Sequence, residues 1–156
     1  MDLIRVINYS QITNNLYIGT TPHIQDYPIL HSQGVQLVIN MRFERPPQRG
    51  LPIPVLWLPT LDTPLLPIPM RFLKRGVQAA LEAFQLGGKV YAHCAGGIHR
   101  GVTMGAAILI AQGYHHIEAM RLIKERRPIA DPYIWYIRRR IDKFGEIWRQ
   151  ESNPTG

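Results

Sequence analysis

The chain has 156 residues, 46% hydrophobic and 19% charged, enough to bury a core without disulfide or metal staples. Its formal net charge of +7 favours anionic partners. The short basic clusters Arg126-Arg127 and Arg138-Arg139-Arg140 read as solvated helix faces, however, and with no zinc-finger or aromatic–basic RNA motif beside them nucleic acid is not an expected partner.

Met1–Ser10 carries Asp2 and Arg5 and has no long apolar run, so it does not read as a signal peptide. Ser10–Ile12 and Leu16–Ile18 read as short strands joined by Thr13-Asn14-Asn15. Thr21-Pro22 is expected to open an irregular helical segment reaching His31, with Gly34 as its stop. Val35–Asn40 reads as a buried strand, and Met41–Pro54, with four prolines, three arginines and a glycine, as an exposed loop.

Val55–Leu58 is a further short strand, followed by a loop over Pro59–Pro67 that holds Asp62. Helical periodicity runs over Ile68–Leu86 through Phe72, Val77, Leu81 and Phe84, to a stop at Gly87-Gly88. Lys89–His93 reads as a strand, Cys94–His99 as a glycine-containing turn, and Gly101–Gln112 as a buried helix stopped by Gly113. Two amphipathic helices, His116–Arg126 and Tyr133–Trp148, complete the pattern, with Trp57, Trp135 and Trp148 placed in core or helix packing.

Strands alternating with helices imply an α/β fold: a central, mostly parallel sheet of about five strands flanked by helices. Residues 1–151 are expected to form a single domain and 152–156 a flexible tail. The longest uncharged apolar stretch, Val102–Ala111, is too short for a bilayer, so no membrane insertion is expected. The lone cysteine excludes an internal disulfide and suits a reducing compartment, so the expected location is cytoplasmic.

The segment that carries chemistry is His93-Cys94-Ala95-Gly96-Gly97-Ile98-His99-Arg100-Gly101, between an apolar strand and an apolar helix. That context puts a turn at the carboxyl edge of the sheet, where open α/β folds bind ligands. Gly96 and Gly97 let backbone N–H groups from Ala95 to Arg100 curl around an anion, and the helix N-terminus adds its positive dipole end. Arg100 returns on the far side of the turn with a fork that fits two phosphate oxygens. The same positive cup favours the thiolate of Cys94, the nucleophilic form. Phosphate, sulfate or vanadate is the expected occupant, and nothing in the loop requires a metal or an organic cofactor.

Cys94-x5-Arg100 preceded by His93 resembles the signature of the protein tyrosine phosphatase superfamily, and the short chain resembles its dual-specificity branch. Asn15-Leu16-Tyr17-Ile18-Gly19 is similar to that branch's opening strand. The resemblance implies a phosphocysteine intermediate on Cys94, phosphate binding by Arg100, and Asp62 as general acid and then general base. It implies a supporting role for His93 beside the cysteine backbone, and a phosphorylated protein or peptide as substrate. The branch usually has Ser or Thr after the arginine, whose hydroxyl assists departure of the cysteine; here the residue is Gly101, which implies a slow second step unless Thr103 substitutes. His99 is left between shaping substrate choice and facing solvent. The alternatives are a related phosphatase acting on a phosphoinositide, a nucleotide or an RNA 5′ phosphate, a phosphate-binding pseudophosphatase, and, more distantly, a rhodanese-like sulfurtransferase.

Overall fold

A computed structural model describes residues 7–47 and 49–153. In chain order these form β1 (Tyr9–Gln11), β2 (Leu16–Gly19), a 3-10 turn (Ile24–Asp26), α1 (Tyr27–Ser32), β3 (Val35–Asn40), β4 (Val55–Trp57), α2 (Met70–Gln85), β5 (Lys89–His93), α3 (Arg100–Ala111), α4 (His116–Arg126) and α5 (Trp135–Ser152). The strands make one five-stranded sheet in the order β1-β2-β5-β3-β4. Every pair is parallel except the β1–β2 hairpin at one edge, as the alternating pattern implied.

Alternation along the strands feeds two cores. Leu16 and Ile18, Leu37 and Ile39, and Val90 and Ala92 face the layer of α2, α3, α4 and α5. Tyr17, Val38 and Tyr91 face the opposite side, where Tyr27 and Leu30 of α1 cover them. An irregularity between Val35 and Leu37 breaks the period of two, so Val35 joins Val38 on the α1 side. Helix α3 is buried on all sides, which explains a sequence that is apolar around its whole circumference.

Element ends differ from the sequence reading where side chains intervene. Pro22 does not open a helix; α1 begins at Tyr27, which puts Pro28 in its first turn, where a missing N–H breaks no helical bond. Helix α5 starts at Trp135 rather than Tyr133, because the Asp131 carboxylate accepts the N–H groups of Tyr133 and Ile134 at 3.1 Å each and holds a turn there. It runs on to Ser152, so the expected tail would start no earlier than Asn153. Residues 154–156, and residues 1–6 of the segment read for a signal, lie outside the described residues.

The carboxyl ends of β2, β5 and β3 coincide in register, with Gly19 opposite His93 and His93 opposite Asn40. The connections leaving these strands therefore meet at one edge of the sheet. No helix among the described residues is long and apolar enough to cross a membrane.

Candidate active site

Cys94 follows directly from the end of β5, and its side chain is buried. The loop after it is shaped by what its carbonyls bind. The Thr21 hydroxyl donates to Cys94 O at 3.2 Å, Arg127 Nη2 to Gly96 O at 3.2 Å, and Arg127 Nε to Gly97 O at 2.8 Å. The N–H of Asp131 donates to Ile98 O at 3.0 Å, and the Thr103 hydroxyl to His99 O at 2.8 Å. In a planar trans peptide the N–H points away from the carbonyl. Holding these carbonyls against the protein thus turns the following N–H groups, those of Ala95, Gly97, Ile98, His99 and Arg100, the other way. Among the described residues, no acceptor takes the N–H of any residue from Ala95 to His99.

Gly97 is the glycine that this turn demands. It has φ 63°, and a Cβ there would lie 2.7 Å from both Arg127 Nη2 and Gly19 O. Gly96 does not take a positive φ, so the expected pair of permissive glycines reduces to one.

Arg127 corrects the sequence reading of a solvated basic face. It is 1% exposed, and its guanidinium also donates from Nη1 to Asn8 Oδ1 and Ser10 Oγ, both at 3.1 Å. Burial presses this guanidinium below the ordinary arginine range, with the fields of Tyr91 and Cys94 opposing. Its basic neighbours and the proline after it gave no sign of burial; the only signal was its place just past the amphipathic run of α4.

Arg100 lies at the start of α3 as expected. Its Nη1 donates to Thr60 O at 2.8 Å and Met41 O at 3.2 Å, and Thr60 Oγ1 also donates to Met41 O. The opposite edge, Nε with Nη2, is left without a partner among the described residues, and Nε is buried. That edge is the fork that binds two oxygens of one anion.

His93 Nδ1 lies 3.3 Å from Cys94 O. Burial drives its pKa down to about 4; the bond to the Cys94 carbonyl opposes this, and Arg42 and Arg100 add to it. The imidazole is thus neutral at pH 7 and donates from Nδ1. Arg42 Nη1 donates to the Thr21 hydroxyl at 3.2 Å, so the loop after β3 buttresses the same carbonyl.

Asp62 comes to the rim of the loop, where its carboxylate accepts from His99 Nδ1 at 2.8 Å and from the Tyr136 hydroxyl at 2.7 Å. Burial pulls this carboxyl upward; the hydrogen bonds from His99 and Tyr136, with the fields of His99 and Arg100, outweigh it and hold it below the ordinary carboxylate range. His99 therefore neither simply faces solvent nor stands apart from the acid. Tyr136 had no sequence signal beyond its place near an amphipathic helix. Trp135 is 59% exposed, not packed in the core as expected, and with Tyr136, Leu66 and Arg139 it lines a cleft of about 230 Å³ that runs from Asp62 and Arg100.

Gly101 has close neighbours: a Cβ there would lie 3.2 Å from Cys94 N and from His93 Cα and C. Thr103 is buried and spends its hydroxyl on His99 O, so neither residue offers a hydroxyl to the sulfur.

The family model of the dual specificity phosphatase catalytic domain matches residues 16–143. The chain belongs to the dual-specificity phosphatase family. Mouse dual specificity protein phosphatase 14 is 27% identical over 146 residues, covering 92% of this chain and 72% of that one. A mouse protein crystallised as a dual specificity phosphatase with zinc tungstate superposes with a TM-score of 0.85 at 20% identity, over 97% of this chain and 95% of that one. PTPMT1 in complex with PI(5)P gives a TM-score of 0.81 at 24% identity, over 92% and 98% of the two chains.

Two outcomes follow from this dual-specificity phosphatase site. Arg127→Ala strips the donors from Gly96 O and Gly97 O, so chemical denaturation shows a loss of about 3 kcal/mol, and the loop's affinity for vanadate falls with it. His93, whose folded pKa of about 4 lies below its unfolded value near 6.5, contributes stability that is complete above pH 6.5 and is lost as pH falls toward 4. Denaturation at pH 7 and at pH 4.5 shows this loss, and His93→Gln makes it smaller.

Proposed function

We propose that this phosphatase hydrolyses phosphotyrosine, and phosphoserine or phosphothreonine, in proteins through a phosphocysteine intermediate on Cys94. The observation that carries the reading is the outward tethering of the loop carbonyls, which leaves a run of N–H groups without acceptors and an open Arg100 fork on the loop that Cys94 begins. In the first step the Cys94 sulfur bonds to phosphorus as the ester P–O bond breaks, and the leaving oxygen takes a proton delivered by Asp62. In the second, water attacks phosphorus, Asp62 takes its proton, and the P–S bond breaks to free phosphate. The loop N–H groups of residues 95–100 and Arg100 hold the equatorial oxygens throughout, which is most of what phosphoryl transfer asks of a protein. His93 supports the cysteine by fixing its carbonyl. Phosphate, sulfate and vanadate are the simple ions this site takes. A chain with one cysteine and no internal disulfide partner suits a reducing, cytoplasmic setting.

The cleft beside Asp62 gives the substrate's flanking residues an apolar wall and a basic edge at Arg139. It favours peptides with apolar and acidic residues next to the phosphorylated one. A second reading, an inositol lipid phosphate as substrate, is favoured by the apolar side chains of Leu61, Leu66 and Trp135, which line the cleft and stay exposed. The loop interior from Ala95 to Ile98 carries no cationic side chain that would help hold a ring of phosphates, which favours protein substrates.

Turnover of phosphotyrosine peptides, phosphoserine peptides and inositol lipid phosphates by the wild type, Cys94→Ser and Asp62→Ala tests both readings. Cys94→Ser abolishes turnover on all of them. Asp62→Ala lowers kcat/KM for the phosphotyrosine peptide by about a hundredfold, and much less for an aryl phosphate with an acidic phenol. Faster turnover of the inositol lipid than of any peptide would select the second reading, and no Cys94-dependent turnover would leave a pseudophosphatase. With no hydroxyl at Gly101 or Thr103 facing the sulfur, rapid mixing shows a burst of phenol close to one equivalent per enzyme; its absence would place the slow step earlier. Gly101→Ser does not cure this, because its Cβ presses on the backbone of His93 and Cys94, and it lowers Tm by a few degrees, or about 1–2 kcal/mol.

A further inference from the structure

Asp62, His99 and Tyr136 form a closed ring of hydrogen bonds over the phosphate loop, drawn from three separate elements. Asp62 Oδ2 meets His99 Nδ1 at 2.8 Å, Asp62 Oδ1 meets the Tyr136 hydroxyl at 2.7 Å, and that hydroxyl lies 3.4 Å from His99 Nδ1. The ring lies at the mouth of the site: the His99 and Asp62 side chains are 21% and 37% exposed. Arg100 from α3 adds a positive field on Asp62, and Asp131 before α5 adds a negative one on Tyr136. Arg139 and Arg140 border the cleft that opens beside Asp62.

A carboxylate that accepts from two donors beside an arginine is poorly suited to keep a proton alone, yet protonating an alkoxide or phenoxide requires one. We propose that this proton is held by the Asp62–His99 pair, with His99 as its reservoir and Tyr136 as the residue that fixes the carboxylate. The inference rests on the phosphatase reading above and names a residue that takes part in it. In the proposed cycle the shared proton starts on His99 Nδ1, directed at Asp62 Oδ2 across 2.8 Å. Its transfer to Oδ2 gives a carboxylic acid beside a neutral imidazole. In that form Asp62 protonates the leaving oxygen as the P–O bond breaks, leaving a carboxylate and a neutral imidazole. In the second step the proton of the attacking water returns to the pair as the P–S bond breaks and sulfur departs as thiolate. Tyr136, whose pKa is pushed up to about 12 chiefly by burial and by its bond to Asp62, keeps its own proton throughout. The two groups titrate as one unit, so the alkaline limb of the rate profile belongs to the pair.

The test is the pH dependence of kcat/KM for a phosphotyrosine peptide in the wild type, His99→Gln, His99→Ala and Tyr136→Phe, with vanadate inhibition measured alongside. In the wild type the alkaline limb is set by the pair. His99→Gln keeps an N–H for Asp62 but no titrating proton, so the limb moves at least about one unit to lower pH, and activity at pH 7 falls at least about tenfold. His99→Ala behaves like His99→Gln, whereas Tyr136→Phe slows the reaction with its limb where the wild type has it. A limb that stays in place in His99→Gln, or a loss of rate matched by an equal loss of vanadate affinity with no change in the profile, overturns the proposal. Failure of the phosphatase reading itself is distinct: the wild type would then show no Cys94-dependent turnover at any pH.

Discussion

The site depends on one buried cation. Arg127 spends its guanidinium on Gly96 O, Gly97 O, Asn8 and Ser10, and each of these bonds has a structural consequence. Burying an unpaired charge costs several kcal/mol, and only a full set of acceptors makes it tolerable. Here the acceptors are backbone carbonyls of the phosphate loop, so the requirement that Arg127 be satisfied is also the requirement that those carbonyls turn away from the anion. The arrangement also gives β1 a purpose. That strand is short, polar and only partly buried, a weak element alone, yet Ser10 within it and Asn8 just before it hold the far end of the guanidinium. The start of the chain thereby helps shape a loop more than eighty residues on.

The same economy recurs at the second arginine. Arg100 could reach an anion with either edge of its fork, and the carbonyls of Met41 and Thr60 decide the matter by taking Nη1. Because Thr60 also bonds Met41 O, the connections after β3 and β4 are locked to each other and to the first turn of α3. Asp62 is two positions past Thr60, so its placement at the rim of the loop follows from the same bonds. Burial then constrains His93: shielded from solvent, with Arg42 and Arg100 both near, only the neutral imidazole is tolerable.

Residues whose role is set by neighbours in sequence were readable. Val35–Asn40 and Lys89–His93 are strands to the residue, because each is an apolar run bounded by glycine on one side and the site on the other. Cys94 and Arg100 declared themselves by spacing, since one turn of loop and the start of one helix bring them together. Arg127, Tyr136 and the partner of His99 did not, because their contacts span 30, 74 and 37 residues. Nothing local separates buried Arg127 from exposed Arg126 beside it; the distinction is made by acceptors elsewhere in the chain. Trp135 misled for the converse reason: a tryptophan near a helix start reads as core, and only the cleft wall opposite shows why it stays exposed.

Gly101 shows how such constraints trade against one another. A residue with a Cβ would stand 3.2 Å from the backbone at His93 and Cys94, closer than most side chains come to any neighbour. The glycine therefore lets the first turn of α3, with the positive end of that helix, lie against the end of β5 and the backbone of Cys94. Thr103, two residues further along, has its hydroxyl drawn off to His99 O, where it helps hold the last loop carbonyl outward. In the proposed mechanism both features serve anion binding and the bond to sulfur, and neither offers a hydroxyl to help break that bond. On that reading the chain concentrates its stabilisation on the first transition state and leaves release of the cysteine to water and the group at Asp62.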